Sequence, residues 1–194
     1  MSKLTRGDLW SLEDYAVQRT EFRAKVLAHK KNRQFQLDPH ARLLFEDALT
    51  LRYQIQEMLR IEKVFEAAGI QDELDAYNPL IPDGDNWKAT FMIEYEHVDE
   101  RRLRLQELKN VEDLIWMQVD GFDKVYAIAD EDMDREDDVK TSSVHFVRFQ
   151  LTSDMVAAAK AGATLFAGCD LEGFRIGPVA LPANIADSLR ADLA

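Results

Sequence analysis

Between Asp38-Pro39 and Gly69 the chain holds no other proline or glycine. Aspartate caps helices well, proline is tolerated in the first helical turn, and glycine is a common terminator, so the interval reads as one long helix. With residues about 100° apart, Leu44, Ala48, Leu51, Ile55 and Met58 share a face that must meet a core. The far side mixes Leu43, Tyr53, Ile61 and Val64 with Glu46, Thr50, Glu57 and Arg60, whereas Arg52, Gln56 and Lys63 gather on a third arc. A helix apolar on more than one side is enclosed on more than one side. The third arc is therefore predicted to face solvent, and the stripe Glu46, Thr50, Tyr53, Glu57 and Arg60 to be partly covered.

Enclosed charges must be paired and hydrogen-bonded, because burying one alone costs several kcal/mol or shifts its pKa. Two arrangements satisfy that rule. In one, Glu57 or Glu46 pairs with an arginine and Tyr53 closes a structural network. In the other, the stripe converges on a pocket with polar residues from a sheet.

The sheet is legible downstream. Ala89, Phe91, Ile93 and Tyr95 alternate with Thr90, Met92, Glu94 and Glu96, the period of a half-buried strand. Segments 114–119 and 124–129 flank Asp120-Gly121-Phe122-Asp123 and predict an antiparallel hairpin. Further strands are expected at 143–151, 163–167 and 174–181, with helices at 99–108 and 153–161. Upstream, Ser11 and Asp14 have capping-box spacing, Thr20 is a second helix cap before Phe22 and Val26, and residues 34–37 suit a short strand. Hairpin-linked strands with helices concentrated at one end predict an α+β fold, an antiparallel sheet packed against the long central helix, with a helical N-terminal part. One domain is expected over residues 1–194, helical to about residue 77 and mainly β from about 85 to 182, before a short C-terminal helix.

Composition narrows the function. A chain of 194 residues, 46% of them hydrophobic, can bury about 70% of its unfolded surface. No apolar run approaches the roughly 20 residues of a membrane helix, and no secretory signal opens the sequence. With Cys169 alone, no internal disulfide is possible, so a soluble cytoplasmic protein is expected. The balance of 24 Lys and Arg against 36 Asp and Glu, a net charge of −12, disfavours nucleic acid as a ligand. The basic cluster His29-Lys30-Lys31-Asn32-Arg33 reads as solvated cations complementing a helix C-terminus, rather than an anion site.

Motifs with catalytic or metal-binding spacing fail on inspection. The acidic run Asp130 to Asp138 starts like a calcium loop, but Arg135 stands where glycine is needed and Thr141 where the closing glutamate belongs. Glu94 and His97 have the spacing of a di-iron half-site, once and at a strand end. His145 shares a strand face with Val147, Phe149 and Leu151, which suits a core histidine, while its titration range keeps a ligand role open. Ser143, two residues earlier, lies on the same face, without an identifiable orienting acid.

Four phrases, His29 to Arg33, Tyr53 to Glu62, Tyr77-Asn78-Pro79-Leu80-Ile81-Pro82-Asp83-Gly84 and Val144-His145-Phe146, resemble a bacterial family known as domain of unknown function 3501. The likeness runs across most of the chain, and the stretch after Gly168 departs most from the pattern. Members of that family are often encoded beside rubrerythrin-like proteins and cysteine-rich iron-sulfur oxidoreductases. The resemblance therefore implies an accessory or partner-binding component of a redox or oxidative-stress system, docking such proteins through its acidic surface. The residues themselves offer a second class: a small-molecule or metal-binding protein, enzymes included, with a pocket between the long helix and the sheet. There Tyr53 and Glu57 supply ligands or a base, Arg60 holds an anionic group, Glu46 borders the site and His145 contributes from the sheet. Neither reading identifies a cofactor, a metal or an oligomeric state.

Overall fold

The computed structural model describes residues 3–129, 131 and 141–194. Among them the chain forms seven helices and two antiparallel sheets, an α+β fold. Helix α1 spans Leu12–Lys30, and its Ser11 cap accepts the Asp14 N–H at 3.0 Å. Thr20, read as the start of a helix, lies inside α1, so the N-terminal helix is unbroken.

The long helix from Asp38 to Gly69 is not there. Its first part forms β2 (Ala41–Phe45), paired with β1 (Gln34–Asp38) on one side and β3 (Asn86–Ile93) on the other. Asp38 does not cap a helix; its carboxylate accepts the His40 N–H at 3.0 Å and tightens the hairpin turn that carries Pro39. Ala-Arg-Leu-Leu-Phe fits either period, and the cross-strand partners decide in favour of alternation: Ala41, Leu43 and Phe45 point inward, Arg42 and Leu44 outward. Helix α2 then covers Ala48–Glu62 behind an Asp47 cap and ends on Lys63 in the left-handed region (φ 56°). Gly69 falls inside α3 (Ala67–Tyr77), where a Cβ would stand 2.7 Å from Val64 Cγ1; close packing, not chain termination, calls for glycine here. The N-terminal part is thus helical only around an inserted β-hairpin.

The remaining elements follow as α4 (Val98–Glu107), α5 (Val111–Leu114), β4 (Ile115–Val119), β5 (Val125–Tyr126), β6 (Ile128–Ala129), β7 (Val144–Gln150), α6 (Ser153–Lys160), β8 (Leu165–Cys169), β9 (Ile176–Ala180) and α7 (Ala183–Arg190). The five-stranded sheet is ordered β1-β2-β3-β7-β6 and the four-stranded sheet β5-β4-β8-β9. The expected strand at 124–129 is split: β5 pairs with β4 as its hairpin partner, and two residues on β6 joins β7 in the other sheet. The acidic run from Asp130 to Asp138 falls, Glu131 apart, outside the described residues.

Inward faces of both sheets share one hydrophobic cluster with side chains of α4 to α7, including Trp87, Phe91, Phe149, Ile115 and Leu189. Two smaller clusters join α1 to α2 through Tyr15, Phe22 and Val26, and α2 to α3 through Ile55, Leu59 and Leu74. The arc assigned to solvent is covered at two of its three residues: Gln56 is fully buried, its Oε1 accepting the Trp10 N–H at 2.7 Å, and the Arg52 guanidinium lies 4.2 Å from the Trp10 ring. Of that arc only Lys63 is exposed, and the exposed residues at this end of the helix are Arg60, Ile61, Glu62 and Lys63. The basic cluster also departs from expectation, because Arg33 is 2% exposed and its guanidinium is satisfied by Phe45 O, Glu46 O, Ser188 and Asp192. No helix among the described residues is long and apolar enough to cross a membrane.

Candidate functional site

The polar residues singled out in the sequence are distributed over three separate faces. Glu57 looks toward α1. Its Oε1 accepts from Tyr15 Oη (2.6 Å) and Arg19 Nε (2.7 Å), and its Oε2 from Arg19 Nη2 (2.9 Å) and Arg60 Nη2 (3.2 Å). The Arg19 hydrogen bonds lead in holding this carboxyl down to about 2, against a burial penalty, with Tyr15 and Arg60 adding to them. Burial and the bond to Glu57 push the Tyr15 phenol up. Tyr53 stands outside this network and packs its ring 6.0 Å from Phe22. Fork-to-fork pairing with every carboxylate oxygen engaged is the geometry of a brace between helices.

His145 sits on the inward face of β7 and is fully buried. Its Nε2 lies 3.0 Å from Ser142 O and 2.9 Å from Thr141 Oγ1. A carbonyl only accepts, so Nε2 carries the proton, and the Thr141 hydroxyl is left to donate to Glu112 Oε2 at 3.0 Å. At Nε2 the imidazole therefore presents a proton and not a lone pair, and the partners of that nitrogen are Thr141 and Ser142, with Ser143 not among them in the described residues. Glu94 pairs with Arg42, and His97 is exposed at the start of α4. Among the described residues no group of three or more His, Cys, Asp or Glu side chains is placed to hold a metal. Cys169 is buried, and burial pushes its thiol up.

Glu46 is on the third face, the outward side of the five-stranded sheet. Register aligns Leu44 with Thr90 and Thr90 with Phe146 there, and in the next row Lys88 with Arg148 and Arg148 with Ile128. Those side chains are half-buried or exposed. The chain leaving α3 passes over them as a 3₁₀ turn, Asn78–Leu80, tied down by Lys88, whose Nζ donates to Pro79 O (2.7 Å), Ile81 O (3.1 Å) and Asp83 Oδ2 (2.6 Å). Between turn and sheet lies a cavity of about 480 Å³. Phe146 and Ile128 form its apolar floor, Tyr77 and Leu80 its wall, and Glu46 and Arg148 its polar ends. A wider hollow, about 740 Å³, opens at the opposite end of the same sheet face beside His40, Arg42 and Glu94. It is the more open of the two, and His40 is committed there, stacked 4.1 Å from Tyr95 with Nδ1 bonded to Glu94 O.

Of the sequence candidates, only Glu46 borders the enclosed cavity. Two of the phrases that carry the family resemblance do meet at it, the Tyr77 to Gly84 loop through Tyr77 and Leu80, and Val144 to Phe146 through Phe146. Single apolar residues in separate segments give no periodic signal of such a meeting.

The architecture is shared by a crystal structure of a novel protein of unknown function from Burkholderia pseudomallei K96243, at TM-score 0.94 and 51% identity, with 100% of each chain covered. No curated protein matches the sequence. A family model described as protein of unknown function (DUF3501) matches residues 3–193, including the stretch after Gly168, and the chain belongs to that family.

Proposed function

We propose that this chain is a small-molecule-binding protein whose ligand occupies the cleft between the α3–3₁₀ segment and the outward face of the five-stranded sheet. The observation that carries the reading is the cleft itself: about 480 Å³, apolar at its floor, polar at its ends, and within the roughly 300–1,000 Å³ range of ligand sites. The pocket foreseen between a long helix and the sheet is here supplied by the end of α3, not by the stripe on α2. Tyr53, Glu57 and Arg60 then serve the packing of α1 on α2, and His145 the packing of the core. The docking role beside iron-sulfur or rubrerythrin-like proteins draws its support from the resemblance and the net charge of −12 alone.

Ala76, exposed on α3 at the cleft wall, gives the test. Ala76→Trp fills the cleft from a surface position. Small molecules carried through purification and detected by native mass spectrometry should be lost from this variant while its thermal unfolding stays that of the parent. Retention of the same bound mass by Ala76→Trp removes the cleft as the binding site.

A further inference from the structure

The cations and carboxylates around the cleft are not equally free. Lys88 has three N–H donors, and each already has an acceptor in Pro79 O, Ile81 O or Asp83 Oδ2. Arg148 is paired bidentately with Glu131, at 2.8 and 2.7 Å, and donates from Nη1 to Gln150 Oε1 at 2.7 Å. Both positive charges are thus neutralised by the protein. Glu46 differs. Its carboxylate is half-buried and accepts from two neutral hydroxyls, Thr50 Oγ1 at 2.6 Å and Thr90 Oγ1 at 3.3 Å, and no lysine, arginine or histidine among the described residues pairs with it. Asp75, on the wall, accepts among the described residues from the neutral Gln71 amide, at 2.7 Å. What the cleft presents to an incoming molecule is therefore carboxylate without an ion-pair partner among the described residues, in a lining that includes Phe146 and Tyr77, while Lys30, Arg33 and Arg42 border Glu46 only on its far side, in a separate hollow.

We infer that the cleft selects ligands with an apolar body and a protonated amine, the ammonium seated against Glu46; this rests on the reading of the cleft as a ligand site. A half-buried carboxylate gains most from a donor that also carries charge, and aromatic walls favour a cation over an anion. An anionic ligand finds both basic groups occupied and two carboxylates facing it.

The test compares phenethylamine with hydrocinnamate, which share a phenyl ring and a two-carbon spacer and differ in the sign of the terminal charge. Amide NMR titrations of the full chain at neutral pH should place the phenethylamine shifts at Glu46, Leu80 and Phe146, with about tenfold tighter binding than hydrocinnamate, as a charge-assisted hydrogen bond implies. Glu46→Gln should weaken phenethylamine by about tenfold and tighten hydrocinnamate, which no longer faces that charge. Asp75→Asn, on the helix surface, should weaken phenethylamine severalfold, and the parent's ratio between the two probes needs no variant to fold. Equal affinity for both probes at the cleft amides overturns the charge selection and leaves the ligand site standing. Shifts from both probes centred away from the cleft overturn the ligand site as well.

Discussion

Three donors from α1 and one from Arg60 within α2 gather on Glu57, which adds a polar tie to the apolar cluster between the two helices. With its folded pKa brought to about 2 from the ordinary 4.5, the stabilisation it gives is complete above 4.5 and is lost as pH falls toward 2. Glu57→Gln keeps the shape and removes the charge, leaving Arg19 and the Tyr15 hydroxyl without their acceptor. Urea unfolding should show a loss of about 1–3 kcal/mol near neutral pH. The gap between parent and variant should narrow near about pH 3, where the unfolded parent has taken up the proton that the folded carboxylate still refuses. A gap independent of pH would mean the loss arises from packing alone. The sequence identified Glu57 as a partly enclosed carboxylate in need of an arginine. It did not reveal Arg19, forty residues upstream in round terms, because pairing across a helix interface leaves no local pattern.

At the scale of elements, the caps carry unequal loads. Ser11 is exposed and satisfies the start of α1 alone, so Ser11→Ala should cost about 1 kcal/mol. Asp47 caps α2 through Thr50 N (2.8 Å), meets His29 Nε2 at 2.5 Å, and lies 3.4 Å from Arg33 Nε. Burial alone raises its carboxyl, but Arg33, the Thr50 N–H and His29 outweigh it and hold it below the usual aspartate range. Asp47→Ala should therefore cost about 2–4 kcal/mol in denaturant unfolding, clearly more than the exposed cap. Elements with a single reading were legible in advance. The alternation at 89–95 became β3, 143–151 became β7, and 153–161 became α6. Residues 41–45 were not, because Leu43, Leu44 and Phe45 fit both periods and the contacts that choose between them come from β3, more than forty positions away. The same long-range dependence hid the cleft, whose wall and floor come from segments that carry only ordinary apolar residues.

Across the whole molecule, the last helix closes the fold. Leu189 O accepts the Trp87 Nε1–H at 2.9 Å, the Ala194 N–H reaches Gly84 O at 2.8 Å, and Asp192 receives Arg33. Burial pushes the Asp192 carboxyl up to about 6 even though Arg33 opposes it. With an ordinary value of 3.8, this site's contribution to stability is full below 3.8 and is lost as pH rises through 6, the reverse of Glu57. Asp192→Asn cannot titrate. Its melting temperature should rise less than the parent's as pH is lowered from 6 toward 3.8, and a parallel pair of profiles would place the titration elsewhere. Arg33 and Asp192 stand 159 residues apart, which orders events during synthesis. Asp47 follows Arg33 closely in the chain and meets its Nε side, but the carboxylate that engages both Nη groups arrives only with the tail, and until then Nη1 needs water as a partner. The β2–α2 corner of a growing chain is therefore expected to stay wet on its Nη1 side until the tail closes over it.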